Sequence, residues 1–186
     1  MLSSAMSAQG VAEYWSKKWP ERPVWVAGGA VRDILLGRAP KDFDVFVGGA
    51  QLAAADVQDK TSSLKAVPLS EFHRSEPFLV GQWYFNGSVV QVMSRAGIQD
   101  VNALLDTFDW NISLFAVGAD GLTTSRCSVE HIKPGGELRL QGTAHPLSTL
   151  RRGFRFAERY GMRINSKDLK GLCERVALML TEKDAQ

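Results

Sequence analysis

Apolar positions along the chain switch repeatedly between the period of a helix and that of a strand. Val11, Tyr14, Trp15 and Trp19 recur at helical spacing and predict a helix over 8–19, broken by Pro20 and Pro23. Val24–Ala27 is a short apolar run that stops at Gly28-Gly29. Val31, Ile34 and Leu35 then return to helical spacing until Gly37, placed where a left-handed residue stops a helix. Residues 43–47, FDVFV, are β-branched and aromatic and predict a second strand. The stretch 24–47 is therefore strand, glycine turn, helix, strand, and the remaining chain is organised around it.

Downstream, Gly48-Gly49 makes a turn before an alanine-rich helix over 50–60 with Leu52, Ala53 and Val57. A strand over 64–67 and a loop over 68–77, carrying His73 and Arg74, follow. Residues 78–85 and 88–94 flank Asn86-Gly87, the strongest short hairpin signal. Val101, Leu104, Leu105 and Phe108 place a short helix over 100–108, residues 118–121 form a turn, and 122–140 hold one strand and a loop. In 147–160, Leu147, Leu150, Phe154 and Ala157 share one helical face, while Arg151, Arg155 and Arg159 recur at i, i+4 and i+8 on another. Gly161 ends that helix. Asn165 or Ser166 caps another, whose apolar face is Leu169, Leu172, Cys173, Val176 and Leu180.

With 186 residues, 45% hydrophobic and 23% charged, the chain reads as a globular protein able to bury a core. No apolar run approaches the roughly 18 residues of a membrane span, and the first residues lack the basic and apolar regions of a signal peptide. Cys127 and Cys173 are far apart without metal-ligand spacing, which suits free thiols and a cytoplasmic location. The net charge of +2 hides an asymmetry: 1–125 hold 10 basic and 13 acidic residues, a net of −3, and 126–186 hold 12 and 7, a net of +5. A basic C-terminal part suits a polyanionic partner, although a charge run is also what a solvated face looks like.

Two pieces of chemistry sit on the central unit. Gly28 and Gly29 let backbone N–H groups approach a ligand, and the helix start behind them favours an anion such as phosphate. Asp42 and Asp44, two apart on an extended segment, point to one face. Carboxylates so close repel unless a cation lies between them, and a hard, oxygen-preferring ion such as Mg²⁺ is the natural partner.

GGAVRDILLGRAPKDFDVFV resembles the signature GGxVRDxLLGRxPxDxD of the class II nucleotidyltransferases, the family of bacterial poly(A) polymerases and CCA-adding tRNA nucleotidyltransferases. The resemblance continues in order: DWNISLFAV at 109–117 is similar to DFTINALAY, and RRGFRFAERYGMRI to LRAxRFAxxLGFxI, the start of the helical neck. It covers about 24–164. It implies an α+β fold, a small mixed polymerase β-like sheet with flanking helices over 1–143 followed by a short helical neck over 144–186. It also implies two Mg²⁺ ions on the catalytic, metal-holding pair Asp42 and Asp44. Gly28, Gly29, Arg32, Asp33, Arg38, Asp109, Arg152 and Arg155 would meet the nucleotide, Asp109 at its sugar. Arg95, Arg151 and Arg159 would contact RNA or phosphate.

The implied reaction moves a nucleoside monophosphate from an NTP to a hydroxyl, the 3′ end of tRNA or another RNA. Four departures from the pattern leave rivals open. Strand 88–94 carries Val90 and Gln91 where the wider superfamily often has a third carboxylate, and Gln91 offers only a neutral oxygen. Thr107-Phe108 replaces an arginine pair, and HPLSTL lacks the aspartate and first arginine of the usual DPLR opening. The family's base-selecting motif has no convincing equivalent either, Glu174-Arg175 being the nearest acid-arginine pair. One rival is a transferase acting on a protein or a small molecule. Another is an NTP- or RNA-binding module with weakened catalysis, and a third is a subunit completed by a second copy or by a partner chain.

Overall fold

A computed structural model describes residues 7–69 and 78–184; most of the loop expected over 68–77, His73 and Arg74 included, lies outside them. The chain forms two compact units, Met1–Leu105 with Phe115–Ser125, and Asp106–Leu114 with Arg126–Gln186.

The first unit is built on a seven-stranded mixed sheet. Its strands are β1 (Val24–Ala27), β2 (Asp42–Val47), β3 (Lys65–Ala66), β4 (Leu79–Phe85), β5 (Ser88–Ser94), β6 (Phe115–Gly118) and β7 (Thr123–Ser125), in the order β3-β4-β5-β2-β1-β6-β7. The β2–β5 pair is parallel and the other pairs are antiparallel. Burial on β2 alternates, with Phe43, Val45 and Val47 inside and Asp42, Asp44 and Phe46 half-buried, so the period-2 pattern of the strand separates an apolar face from an acidic one. Helix α1 (Ala8–Ser16) covers the apolar face. Trp15 stacks on Trp19 and tilts against Trp83, whose strand neighbour Val90 is in turn level with Phe43.

The β4–β5 turn has positive φ at both Asn86 (47°) and Gly87 (82°), the conformation for which Asn-Gly is suited. That turn pairs Phe85 with Ser88 and hence Gln82 with Gln91. Helix α2 (Gly29–Leu35) follows the glycine turn as expected.

Three expected helices are shorter than their periodicity suggests. α1 ends at Ser16, because the N–H groups of Lys18 and Trp19 bond back to Trp15 and Ser16 in a tight turn that returns Trp19 to the core. α3 runs Ala54–Thr61 rather than from residue 50. The preceding segment is extended and tied to the end of β5 by the Leu52 N–H donating to Ser94 Oγ at 2.8 Å. α4 is Val101–Leu105, its first turn capped by Asp100 Oδ1, and Phe108 lies beyond it.

In the second unit, segment 109–114 continues through a 3₁₀ turn at Asn111–Ser113, and 126–140 hold a 3₁₀ turn at Val129–Ile132 and β8 (Glu137–Leu138). β8 pairs in parallel with β9 (Arg163–Ile164), between α5 (Pro146–Tyr160) and α6 (Ser166–Asp184). Asn165 is the cap of α6, its Oδ1 accepting from Lys167 and Asp168. Gly161 ends α5 with φ 63°.

The face of α5 that is buried is not the leucine face. Thr149, Gly153 and Tyr160 are inside, Leu147, Leu150 and Ala157 are half-buried, and Phe154 is exposed. The cause is Trp110: its indole N–H donates to the Thr149 carbonyl at 3.0 Å and its ring fills the space left by Gly153. On α6, Leu172 and Val176 are buried as expected, but Cys173 and Leu180 face outward. Among the described residues no helix is long and apolar enough to cross a membrane.

Candidate active site

The glycine turn sits where β1 enters α2. Gly28 takes φ 76° and ψ −126°, a conformation closed to residues with a Cβ, while its N–H donates to Phe115 O of β6 at 2.8 Å. Its carbonyl accepts from the Arg32 N–H at 3.1 Å. The turn is therefore pinned on both sides.

Arg32 and Asp33 are both buried. Nε of Arg32 donates to Asp33 Oδ1 at 2.8 Å, and a Cβ on residue 29 would stand 3.4 Å from its Nη2. The guanidinium thus lies under the second glycine, neutralised by its neighbour. Arg38 is exposed, and its N–H donates to Asp33 O at 2.7 Å, which closes the chain after α2.

Asp42 and Asp44 stand on the half-buried face of β2. The register aligns Asp44 with Ala27 of β1 on one side and with Gln91 of β5 on the other, so one row across the sheet reads Ala27, Asp44, Gln91. Ala27 is the residue before Gly28, which places the glycine turn next to the acidic pair. Lys41 Nζ lies 4.0 Å from Asp42 Oδ2 and is 83% exposed, too solvated to neutralise it.

Gln91 is held from behind. Its Nε2 donates to Gln82 Oε1 at 3.4 Å, and the buried Gln82 donates from Nε2 to Pro68 O at 2.8 Å. Sequence reasoning passed over Gln82, although counting back from Asn86-Gly87 would have found it level with Gln91. Among the described residues no group of three or more His, Cys, Asp or Glu gathers. The donor set is two carboxylates with an amide beside them, all oxygen, which fits a hard cation that takes its other ligands from substrate and water. Arg95, at the end of β5, has its guanidinium 4.2 Å from the centroid of Phe78.

Within the second unit, two residues 43 positions apart are brought together. Nη1 of Arg152 on α5 lies 2.9 Å from Asp109 Oδ2. Asp109 is buried, and its Oδ1 has no hydrogen-bond partner among the described residues. Arg151, Arg155 and Arg159 are exposed along α5, and Arg159 lies over the ring of Tyr160.

Residues 24–74 match the family profile described as the poly A polymerase head domain. The matched stretch carries β1, the glycine turn, α2 and β2. The fold around this head segment is that of solved CCA-adding enzymes. A CCA-adding enzyme in complex with ATP is similar over 93% of this chain with a TM-score of 0.65 and 20% identity. A Thermotoga maritima CCA-adding enzyme complexed with tRNA gives 0.65 at 18% identity over 92%. A tRNA nucleotidyltransferase complexed with a primer tRNA and an incoming ATP analog gives 0.62 at 19% over 92%. The chain spans 43%, 44% and 52% of these proteins, respectively. No curated protein sequence matches it.

Proposed function

We propose that this chain is a metal-dependent nucleotidyltransferase that moves a nucleoside monophosphate from an NTP to the 3′ hydroxyl of a tRNA or another RNA. The observation that carries the reading is the row Ala27–Asp44–Gln91, which sets a carboxylate pair beside a glycine turn on one sheet face. The comparisons support it, since relatives of the same fold are described with ATP and with tRNA.

In this reading Asp42 and Asp44 would hold two Mg²⁺ ions, which would supply positive charge at the attacking hydroxyl and at the leaving pyrophosphate. The chain's own groups do the positioning. Gly28 and Gly29 let the triphosphate approach the backbone, and Arg32, tied to Asp33, keeps that turn in shape from beneath. Arg38 lies at the end of the same segment and meets the outer phosphates. Asp109, oriented by Arg152 on Oδ2, would meet the nucleotide sugar. Arg155 neutralises phosphate, and Arg95, Arg151 and Arg159 contact RNA. The head over 1–143 would carry the chemistry and the helices over 144–186 the neck.

Gln91 favours a second reading. Its neutral amide beside Asp44 adds an oxygen but no charge, as a module that binds NTP or RNA with weakened turnover would have. Incubating the protein with Mg²⁺, each labelled NTP in turn and bulk tRNA, next to an Asp42→Ala/Asp44→Ala double variant, separates the two. Label on RNA that the variant loses supports transfer. Bound but untransferred NTP supports the module, and label on protein moves the acceptor away from RNA.

A further inference from the structure

Helix α5 buries Thr149, Gly153 and Tyr160 and leaves Phe154 52% exposed, although its sequence offers Phe154 as part of an apolar face. The neighbours of Phe154 on the outer surface are charged. Arg151 precedes it by three residues, one turn back, Arg155 follows it directly, and Glu158 lies one turn ahead, with Arg159 beyond. All four of these charged residues are exposed. An aromatic ring beside a row of guanidinium groups, with Arg151 on its own side of the helix, is poorly matched to an apolar partner, which would have to desolvate the arginines. A single-stranded nucleic acid matches it on both counts, because any base has a face to lay on the ring and its phosphates face the arginines. Arginines four residues apart on a helix are about 6 Å apart along the axis, close to the repeat of an extended strand's backbone. Glu158 reduces the positive charge of the strip without reversing it, and residues 126–186, the last third of the chain, carry a net of +5.

We propose that this face of α5 is a stacking platform for single-stranded RNA, with one base on Phe154 and neighbouring phosphates on Arg151 and Arg155. The proposal rests on RNA being the acceptor in the function proposed above, and adds a contact that reads no sequence.

The test is fluorescence anisotropy with a short, unstructured, fluorescein-labelled RNA and the full chain, at several salt concentrations and without NTP. Stacking on one aromatic ring accounts for about tenfold in affinity, so Phe154→Ala should weaken binding by about that factor while Phe154→Trp stays within about threefold of wild type. An oligonucleotide with abasic sites should bind wild type and Phe154→Ala alike. Arg151→Gln should lower the slope of log affinity against log salt by about 0.7 for each phosphate that Arg151 neutralises. The melting temperature should be the same for Phe154→Ala as for wild type, since the ring is outside the core.

Equal binding of the ordinary RNA by Phe154→Ala and wild type, within about twofold, would overturn the proposal. So would unchanged RNA binding with an altered oligomeric state, which assigns the patch to a protein partner. Binding without turnover keeps the two readings distinguishable: RNA affinity that depends on Phe154, in a protein that transfers no nucleotide, removes the transferase and leaves the platform.

Discussion

Trp110 and Gly153 approach so closely that a Cβ on residue 153 would stand 2.5 Å from the indole Cζ2. The ring is fully buried and its N–H is already committed to the Thr149 carbonyl, so it has little freedom to yield. Gly153→Ala should therefore destabilise the protein. Overpacking of this kind costs about 1–3 kcal/mol, against a gain of up to about 1 kcal/mol from alanine's better helix propensity. A lower midpoint in urea, with an unchanged slope, is the expected result. A higher midpoint would mean that the indole has room to move.

The Asp109–Arg152 pair makes a second prediction. Arg152 is 41% exposed and Asp109 is 9% exposed at the side chain, so the pair is only partly desolvated. Replacing Arg152 with Gln leaves a buried carboxylate short of its partner, and a loss of about 1–2 kcal/mol is expected after allowance for solvent around the arginine. Asp109→Asn in the same background should recover part of it. A double-mutant cycle by chemical denaturation would show coupling of about 1 kcal/mol, whereas additive effects would mean that the two charges are independent.

Much of this was legible in the sequence where the signal is local. The glycine turn between β1 and α2, the spacing of Asp42 and Asp44, and the Asn86-Gly87 turn are each decided within a few residues, and together they set the sheet register through Gln91. The face chosen by α5 was not legible. Its pattern of Leu147, Leu150 and Phe154 pointed one way, and Trp110, some 40 residues earlier, selected Gly153 and Thr149 instead. Likewise, nothing near 106–125 shows that Phe115–Ser125 joins the seven-stranded sheet while Asp106–Leu114 joins the helical unit, because that division is made by pairings with β1 and with Leu140. The role proposed for Asp109 rests on its place in an order of motifs, and its pairing with Arg152 became visible only in three dimensions.

The two thiols should separate by reactivity. Burial raises the pKa of Cys127, and a hydrogen bond with the Asn111 side chain offsets this in part, while Cys173 is exposed. At pH 8 a disulfide reagent should modify one thiol quickly, abolished by Cys173→Ser, and the second only after unfolding. Because folding favours the protonated Cys127, its contribution to stability is constant below the ordinary thiol pKa of about 8.5 and is lost as pH rises above it. Rapid modification of Cys127 in the native protein at pH 8 would contradict this.

Gln91 offers a way to tune the acidic face. Gln91→Glu would place a third carboxylate level with Asp44. Without metal, added repulsion should lower the melting temperature by a few degrees, and with Mn²⁺ the order should reverse, with affinity by electron paramagnetic resonance rising several-fold. Gln91→Leu, which leaves Gln82 Oε1 without its donor, should cost about 1 kcal/mol with or without metal. Identical Mn²⁺ affinities for wild type, Gln91→Glu and Gln91→Leu would place the ion away from Asp44.

The central claim is that the carboxylate pair on β2 carries nucleotidyl transfer to RNA. The most direct measurement is the ratio of pyrophosphate released to nucleotide added to tRNA, in wild type and in Asp44→Asn, whose shape is preserved and whose charge is gone. One pyrophosphate per nucleotide in wild type, with both products reduced at least about a hundredfold in Asp44→Asn, is the expected result. Comparable product formation by the two proteins, or nucleotide bound without pyrophosphate released, would contradict it.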